Sequence, residues 1–395
     1  MKCTTMPFLV VLFIIIPGFK CQSHTTVQNL YSHVLTNYTK RIMPLADHSQ
    51  QLYVGVDFFL NSFISMSEVD ETISIMGTMF LNWTDPALQW DVLSFDNLYV
   101  ITIDPSDIWT PLMFLANAID EMEPIGNGVM FYSTLLYTGQ VYTSPGGIMN
   151  AKCPTNVAKF PFDTQECNLV FFNWGLSTSK IKYSSSFDQA RLDWYTPNSD
   201  WTLLECSTFV ETKNNFSTFN VKIRIKRQFL YYAVMMILPT LLFALLNPLV
   251  FVIPVESGER VSLAMTILLS YAIFLTLVSA AIPTSSNPMC VLLAVMITII
   301  SLSGLMVVSV IVISKYYFEE NAVEINYPLK RLANWGMKKK RNVVLPMEDH
   351  KKDIGDIDYN ITGKDVANAL DCVCLCVFYI AIVVCLIAYF LYVSI

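Results

Sequence analysis

The residues best suited to interact with a passing solute form a stripe within residues 261–283, a segment that is otherwise apolar and carries no charge. The members recur at steps of four and three, so they share one helix face: Ser262, Thr266, Leu269, Ile273, Thr276 and Ala280. Hydroxyl oxygens at one end would replace part of an ion's hydration shell, and branched apolar side chains midway would gate by dewetting. The alternative is an ordinary span whose hydroxyls bond their own backbone. The residue types alone leave both interpretations open.

A second chemistry is disulfide formation, for which Cys153 and Cys167 are the best candidates. Thirteen residues separate them, and closing such a loop would stabilise the fold by about 3 kcal/mol in the chain-entropy model. Cys206 has no obvious partner. The four histidines and ten cysteines show no zinc-type spacing, and no nucleophile–base pair is evident. The sequence therefore predicts no metal, no cofactor and no enzymatic activity.

Four long apolar runs would position these residues, at 229–254, 261–283, 289–314 and 372–395. Each is long enough to cross a hydrocarbon core of about 30 Å as a helix. Buried core helices of a soluble domain are the disfavoured alternative, because no run holds a charged residue. The chain is 54% hydrophobic and 14% charged, with a net charge of -7. These values exclude a mainly disordered chain and disfavour nucleic-acid binding.

A shorter apolar run at 7–17 follows Lys2 and ends before Gly18, as is typical of a secretory signal peptide. The residues after it hold twelve Lys and Arg against twenty Asp and Glu, whereas 315–370 carry ten Lys and Arg. Basic segments between spans face the cytoplasm. The predicted organisation is a signal peptide (1–22), an extracellular domain (23–228), three spans (229–314), a short cytoplasmic segment with an amphipathic helix (315–370) and a fourth span (371–395). Both termini are then extracellular.

The extracellular segment shows short β-rich stretches separated by turns. Apolar residues at helix spacing first predict a short helix over 24–38. Strand patterns follow at 54–63, 72–81, 169–174 and 218–225, and the alternation in 219–225 is typical of a strand with one buried face. Many short strands with turns predict an antiparallel β-sandwich. Asn37, Asn82 and Asn215 match the acceptor pattern for N-glycosylation.

The segment CPTNVAKFPFDTQEC, from Cys153 to Cys167, resembles the signature of the Cys-loop receptors, the animal pentameric ligand-gated ion channels. The W-x-D-x-x-L-x-W pattern at 83–90, the W-x-P pattern at 109–111 with Asn117, Pro239 in the first span and SGER at 257–260 also resemble this family. The similarity covers nearly the whole chain and is greatest to the nicotinic acetylcholine and serotonin type branch, which conducts cations. It implies an extracellular sandwich above a four-helix transmembrane bundle, in a homo- or hetero-pentamer around a central pore.

The resemblance implies a cation-selective channel of the plasma membrane, with a postsynaptic membrane as one setting. An extracellular small molecule bound between subunits would open it. The partners are four further identical or homologous subunits, membrane lipid, the agonist and permeating cations, and no nucleic acid. The stripe then lines the pore, and five copies of Glu259 at its inner mouth favour cations. A non-conducting or auxiliary subunit that requires partners is the alternative function.

The resemblance also places the agonist in an aromatic box between subunits. Trp174 matches its central tryptophan, and Phe216 and Phe209 supply the aromatic residues of one hairpin. Two positions where the family has aromatic residues are Ala116 and Thr78. A quaternary ammonium gains only about 0.5–2 kcal/mol from each ring face, so it needs several faces at once. Acetylcholine and serotonin are therefore doubtful ligands.

A third set of residues is expected to couple the two domains. By alignment with the family, Glu68 and Val69 belong to the loop that presses on the membrane domain. Phe162 and the linker that begins at Pro283 would meet this loop. Arg227 is expected to pair with Glu68, which would join the extracellular domain to the first span.

Overall fold

The computed structural model describes residues 23–280, 282, 288–318 and 363–394. The predicted signal peptide, Pro283 and most of the predicted cytoplasmic segment lie outside the described residues. Helix α1, His24–Leu35, opens the described chain, and the Ser23 side chain caps it by accepting a hydrogen bond from the Thr25 N–H. Its Leu30 and Val34 are buried on the strands that follow. The predicted helix is thus confirmed, and it ends three residues early.

Eleven strands lie within the described residues, and their bounds in chain order are as follows: β1 Leu52–Ser67, β2 Thr72–Thr84, β3 Val100–Ile103, β4 Phe114–Leu115, β5 Ser133–Leu136, β6 Gln140–Thr143, β7 Gly146–Lys152, β8 Thr164–Phe172, β9 Ile181–Ser184, β10 Trp201–Lys213 and β11 Phe216–Arg227. They form a seven-stranded sheet of order β3-β5-β6-β2-β1-β9, in which β7 also pairs with β2. The second sheet has the order β10-β11-β8-β4. The predicted β-sandwich is therefore confirmed.

One pairing departs from the predicted antiparallel arrangement. Strand β9 runs parallel to β1, with Leu52 opposite Ile181 and Gly55 opposite Ser184. The strand before β9 belongs to the other sheet, so β9 reaches this edge through a crossover instead of a tight hairpin. A crossover permits the parallel direction, which a two-residue hairpin does not.

The two sheets enclose one hydrophobic core. The Phe58 ring of the first sheet lies 6.3 Å from the Phe171 ring of the second, between centroids. The predicted disulfide is confirmed: Cys153 follows β7, Cys167 lies in β8, and the S–S bond of 2.00 Å joins them. It links a strand of one sheet to a strand of the other. The loop between the two cysteines is thereby held at one end of the sandwich.

Within the described residues, four further helices are long and apolar enough to cross a membrane: α2 Leu230–Val252, α3 Arg260–Ala280, α4 Val291–Phe318 and α5 Gly363–Ser394. Helix α2 widens into a π-helical turn at Ala233–Ile237, directly before Pro239. Proline has no N–H to donate to the preceding turn, so an irregular turn at this place is expected. Helix α5 begins at Gly363, so the residues directly before the last apolar run continue its helix.

The disulfide loop connects the sandwich to the helices. Val157 and Phe160 are buried in the helical core, and the Ala158 carbonyl accepts a hydrogen bond of 3.2 Å from the Val291 N–H. Because α2 and α4 both begin beside the sandwich, the junction of α2 with α3 lies at the opposite end of the bundle. We call that end the distal end. Helix α5 reaches it near its own first residues, where Asp371 meets Arg260.

Candidate functional site

The residues of the predicted stripe share the exposed side of α3. Ser262, Thr266, Leu269, Ile273, Thr276 and Ala280 are all exposed, and so is Glu259 directly before the helix. The opposite side of α3 holds Ala264, Tyr271 and Val278, which are buried against the other helices. An apolar side chain such as Leu269 has 63% of its surface exposed. That exposure indicates a face for which the described residues of this chain supply no partner.

The hydroxyls of this stripe also make local bonds. Thr266 Oγ1 donates to the Ser262 carbonyl at 2.8 Å, and Thr276 Oγ1 donates to the Ala272 carbonyl at 3.0 Å. This is the backbone bonding that the alternative interpretation expects. Each hydroxyl oxygen keeps its acceptor lone pairs, and both side chains remain exposed. Local bonding and a solute-facing role are therefore compatible.

The distal start of α3 separates two adjacent opposite charges. Gly258 adopts a left-handed conformation with φ of 70°, and the chain then enters α3. The Arg260 side chain is buried, donates through Nε to the Val250 carbonyl at 3.0 Å and pairs through Nη2 with Asp371 of α5. Glu259 is exposed at the start of the stripe. Of the two adjacent charged residues, only Glu259 presents its charge on the exposed face, because Arg260 is paired with Asp371 within the bundle.

Sequence reasoning did not identify Asp371 as the partner of Arg260. The sequence gives one indication of Asp371, its position as the last charged residue before the fourth apolar run. The Phe251 ring also packs against Arg260, with its centroid 5.6 Å from the guanidinium carbon. The start of the exposed stripe is thus fixed to α2 and to α5.

The aromatic residues predicted for the ligand lie at one end of the second sheet. Trp174 follows β8, has 60% of its surface exposed and lies 5.8 Å from the Phe172 ring. Phe216 begins β11 and meets the same Phe172 ring at 5.8 Å, edge to face. Phe209 is exposed on the neighbouring strand β10, opposite Asn220. The Trp174 ring is therefore exposed and packs against a neighbouring phenylalanine ring.

Two of these supporting rings were missed in the sequence. Phe172 and Phe114 lie opposite each other on β8 and β4, and the Phe114 ring lies 6.1 Å from the Trp174 ring. Phe114 stands two residues before Ala116, which is exposed and carries no ring of its own. Ala116 is held by a bond of 2.7 Å from its N–H to the Val170 carbonyl. Ala116 therefore supplies no ring near Trp174, and the Phe114 ring packs on Trp174 instead.

Thr78 lies in the other sheet, so one chain does not bring it together with Trp174. It is half-buried on β2 opposite Phe59 of β1. The Arg191 guanidinium carbon lies 5.2 Å from the centroid of that Phe59 ring, and Arg191 is paired with Asp193 at 2.9 Å. The Arg191 guanidinium therefore already lies against the Phe59 ring, which neighbours Thr78.

Of the residues expected to couple the two domains, Arg227 is almost completely buried and contacts Glu68. Its Nε donates to Asp163 Oδ1 at 2.8 Å, its Nη2 donates to Asp163 Oδ2 at 3.1 Å, and the same Nη2 pairs with Glu68. Burial alone would lower the pKa of Arg227, but the hydrogen bonds and charges of Asp163 and Glu68 raise it above its usual value. The expected contact with Glu68 is present, and Asp163 is a second partner.

Aromatic rings complete this cluster. The Arg227 guanidinium carbon lies 4.3 Å from the Trp201 ring centroid, 4.9 Å from Phe160 and 5.1 Å from Tyr232 of α2. Phe162 packs on Phe229, directly before α2, at 5.0 Å. Val69 is exposed beside Glu68. The β-sandwich, the disulfide loop and the first helix of the bundle therefore meet at one buried cation.

The glycosylation patterns lie in different environments. Asn37 and Asn215 are exposed and have positive φ angles, as in turns. Asn82 lies within β2 and is half-buried against Gly55 of β1. An enzyme that attaches a glycan needs an accessible acceptor, so Asn37 and Asn215 are the better placed of the three.

Comparison with known families finds two matches that together cover most of the chain. Residues 27–229 match the family model described as the neurotransmitter-gated ion-channel ligand binding domain. Residues 236–333 match that of the neurotransmitter-gated ion-channel transmembrane region. The first match coincides with the β-sandwich and most of its helix α1, and the second covers most of α2 and all of α3 and α4.

Individual proteins similar to the chain include subunits of acetylcholine receptors. The acetylcholine receptor subunit beta-type acr-3 of Caenorhabditis elegans is 31% identical over 320 residues, covering 78% of this chain and 64% of that protein. The acetylcholine receptor subunit delta of Xenopus laevis is 27% identical over 338 residues, covering 78% and 63%. The neuronal acetylcholine receptor subunit beta-2 of Carassius auratus is 30% identical over 254 residues, covering 63% and 54%. The chain spans less than two thirds of the length of these relatives.

Proposed function

The chain belongs to the neurotransmitter-gated ion channel family, as a subunit of the acetylcholine receptor-like type, and from this premise we propose that it forms a cation-selective channel. The family consists of ion channels and not of enzymes. The proposed channel is a pentamer of identical or homologous subunits, opened by a small molecule bound between neighbouring sandwiches. Ser262, Thr266, Leu269, Ile273, Thr276 and Ala280 would line its pore.

The observation that carries cation selectivity is the separation of Glu259 from Arg260. The two adjacent charges would cancel if both reached the pore. Arg260 is instead buried and paired with Asp371, whereas Glu259 is exposed at the start of the stripe. Five copies would then form a ring of carboxylates without an opposing ring of cations, an arrangement that concentrates cations at the pore mouth.

We propose the membrane topology that the sequence predicts. Residues 1–22 are a signal peptide, residues 23–228 are extracellular, residues 229–314 and 371–395 hold the four spans, and residues 315–370 are cytoplasmic. The disulfide in the sandwich supports an extracellular position for that domain, because disulfides persist in oxidising compartments. The distal end of the bundle is then the cytoplasmic end. The channel would reside in the plasma membrane, and the exposed Asn37 and Asn215 would carry its glycans.

For the ligand, we propose a small molecule other than a quaternary ammonium. Trp174 and Phe209 offer exposed rings and Phe216 a half-buried one, whereas Ala116 and Thr78 carry no ring. On the sheet that holds Thr78, Arg191 already lies over the Phe59 ring and so takes up a ring face that an incoming cation would need. Removing two ring faces lowers the affinity for an ammonium by about 1–3 kcal/mol, or roughly ten- to a hundredfold. Acetylcholine and serotonin should therefore activate the channel weakly or not at all.

The cluster around Arg227 is the proposed route from ligand to pore. Glu68 and Val69 belong to the sandwich, Phe162 to the disulfide loop, and Tyr232 to the first helix of the bundle. Because Arg227 contacts Glu68 of the sandwich, Phe160 of the disulfide loop and Tyr232 of α2, a displacement of the sandwich would reach α2 through it. Pro283 begins the linker that we expect to receive the same displacement.

The test measures selectivity without the unknown agonist. Oocytes would express the chain with Leu269→Thr, a change expected to open the pore by hydrating its narrowest ring. Reversal potentials should follow sodium or potassium and ignore chloride. Adding Glu259→Gln should reduce this selectivity. The matched control is Glu256→Gln, since Glu256 is a neighbouring exposed carboxylate already bound by Tyr317 and Lys364. Currents that reverse with chloride would contradict the proposal.

The alternative is a subunit that does not conduct without partners, and the incomplete ring set at Ala116 and Thr78 favours it. Surface-labelled protein that gives no current alone, but does so together with a homologous subunit, would support this second function. Surface labelling is therefore measured on every batch of oocytes, so that a silent subunit is distinguished from one that is not delivered to the membrane.

A further inference from the structure

We propose that Cys372 and Cys376 are sites of S-acylation, each carrying a long fatty acyl chain on its Sγ atom through a thioester. The inference rests on the membrane topology of the proposed function. It concerns a covalent anchor on the outer surface of the bundle, and it does not depend on ion conduction.

The first argument is the shared face of the two thiols. Cys372 and Cys376 are four residues apart on α5, so they lie one above the other, and both are exposed. Cys374, between them, is half-buried and packs against the core of the bundle. The same exposed face continues along α5 with apolar residues: Ile380, Val384, Ile387 and Leu391. The two thiols thus begin the stripe of α5 that membrane lipid would contact.

The second argument is depth. Asp371, the residue before Cys372, is paired with Arg260 at the distal end of the bundle. No charged residue follows it through Ser394. At 1.5 Å per residue these residues extend about 34 Å, close to the roughly 30 Å of a hydrocarbon core. Cys372 therefore lies at the membrane boundary and Cys376 about 6 Å deeper. A chain attached at either position would enter hydrocarbon directly.

The third argument is the side of the membrane. The distal end lies opposite the sandwich, and the sandwich contains the disulfide of Cys153 and Cys167. Because disulfides persist in oxidising compartments, the sandwich would lie outside the cell and the distal end would face the reducing cytosol. Juxtamembrane cysteines on the cytosolic side are typical acceptors for reversible S-acylation. The second substrate, a fatty acyl thioester of coenzyme A, is a cytosolic metabolite.

The reaction is a transfer between two sulfur atoms. The cysteine thiol loses its proton, and its sulfur attacks the carbonyl carbon of the fatty acyl-coenzyme A thioester. A new bond forms from that carbon to the cysteine sulfur, and the bond to the coenzyme A sulfur breaks. Coenzyme A leaves as a thiol and takes up the proton. No oxidant or reductant is consumed, and a membrane acyltransferase would catalyse the step.

The test expresses the full chain in cultured animal cells and replaces hydroxylamine-labile acyl groups with a polyethylene glycol mass tag. The wild-type chain should gain two tags, Cys372→Ala and Cys376→Ala should gain one each, and the double variant none. Cys374→Ala and Cys385→Ala are matched controls in the same helix and should keep both tags. Tags that persist in the double variant would overturn the proposal. So would an untagged wild-type chain in cells where a co-expressed acylated protein is tagged.

A second measurement separates this inference from the proposed function. After hydroxylamine treatment, a membrane-impermeant maleimide should label Cys372, the thiol at the membrane boundary, only in permeabilised cells. Labelling of intact cells would place this thiol outside, and would overturn both the topology and the acylation. A chain that carries both tags but conducts neither alone nor with homologous subunits would contradict the channel function and leave the acylation intact.

Discussion

Replacing Arg227 by methionine should destabilise the chain strongly, because the arginine is the counter-ion of a buried carboxylate. The side chains of Arg227 and Asp163 are 2% and 1% exposed, and that of Glu68 is 18% exposed. Removing one partner of a buried ion pair costs about 3–5 kcal/mol, since the other charge stays buried without compensation. Gln165 also donates to Asp163, at 2.5 Å, but a neutral amide does not replace a guanidinium.

The same strand offers a matched control. Arg224 lies three residues earlier on β11 and pairs with Glu205 at 3.5 Å, but both side chains are nearly half exposed. An exposed pair of this kind contributes about 0–1 kcal/mol. Arg224→Met should therefore be close to neutral. Arg227→Lys should fall between the two, because it keeps the charge but loses the two-pronged contact with Asp163.

The assay is thermal unfolding of the detergent-solubilised chain, followed by fluorescence-detected size exclusion. A change of 1 kcal/mol moves the Tm of a domain of this size by about 2–4 °C, so Arg227→Met should lower the Tm by on the order of 10 °C. The double variant Arg227→Met with Asp163→Asn should recover part of this loss, because it removes the unpaired charge. Arg227→Met no worse than Arg224→Met, or a double variant worse than the single, would refute the reasoning.

Three further predictions follow from other parts of the molecule. Leu269→Thr should raise the resting current of oocytes, whereas Leu277→Thr, exposed but off the stripe, should not; equal currents would remove Leu269 as the gate. Burial raises the pKa of Cys206 to about 12, so a maleimide at pH 8 should modify it only after denaturation, and modification of the native chain would contradict its burial. Asp371→Asn should lower the Tm by leaving Arg260 buried without its carboxylate, more than a change at the exposed Lys364 does.

The sequence predicted the helices and strands well because their signals are local. The alternation over 219–225 placed a strand that the structure extends to Phe216–Arg227. The four apolar runs placed the four long helices to within a few residues at most ends. Periodicity of two or of 3.6 states which face of an element is buried, and it needs no knowledge of the partner. The disulfide followed from spacing and compartment in the same way.

Contacts between distant residues could not be predicted from periodicity. Arg260 meets Asp371 across 111 positions, and nothing in the local pattern of either residue indicates the other. The Phe114 ring contacts Trp174 because β4 pairs with β8. A strand of two residues is too short for the sequence pattern to predict that pairing. The pair of Arg227 with Glu68 was expected only from resemblance to a family. Local patterns constrain burial, whereas partners are set by how the sheets and helices assemble.

The polarity of the exposed helix faces indicates what each face contacts. Most residues of α3 and of α5 are not buried against the other described residues. The exposed stripe of α5 is apolar and suits hydrocarbon. The exposed stripe of α3 begins at Glu259, whose charge is costly to place against lipid, and continues with the hydroxyl groups of Ser262, Thr266 and Thr276. A spanning helix meets only lipid, protein or enclosed water, and the polar α3 stripe suits the last two better than lipid. Further copies or homologous subunits around the stripe would supply that environment, as the proposed channel requires.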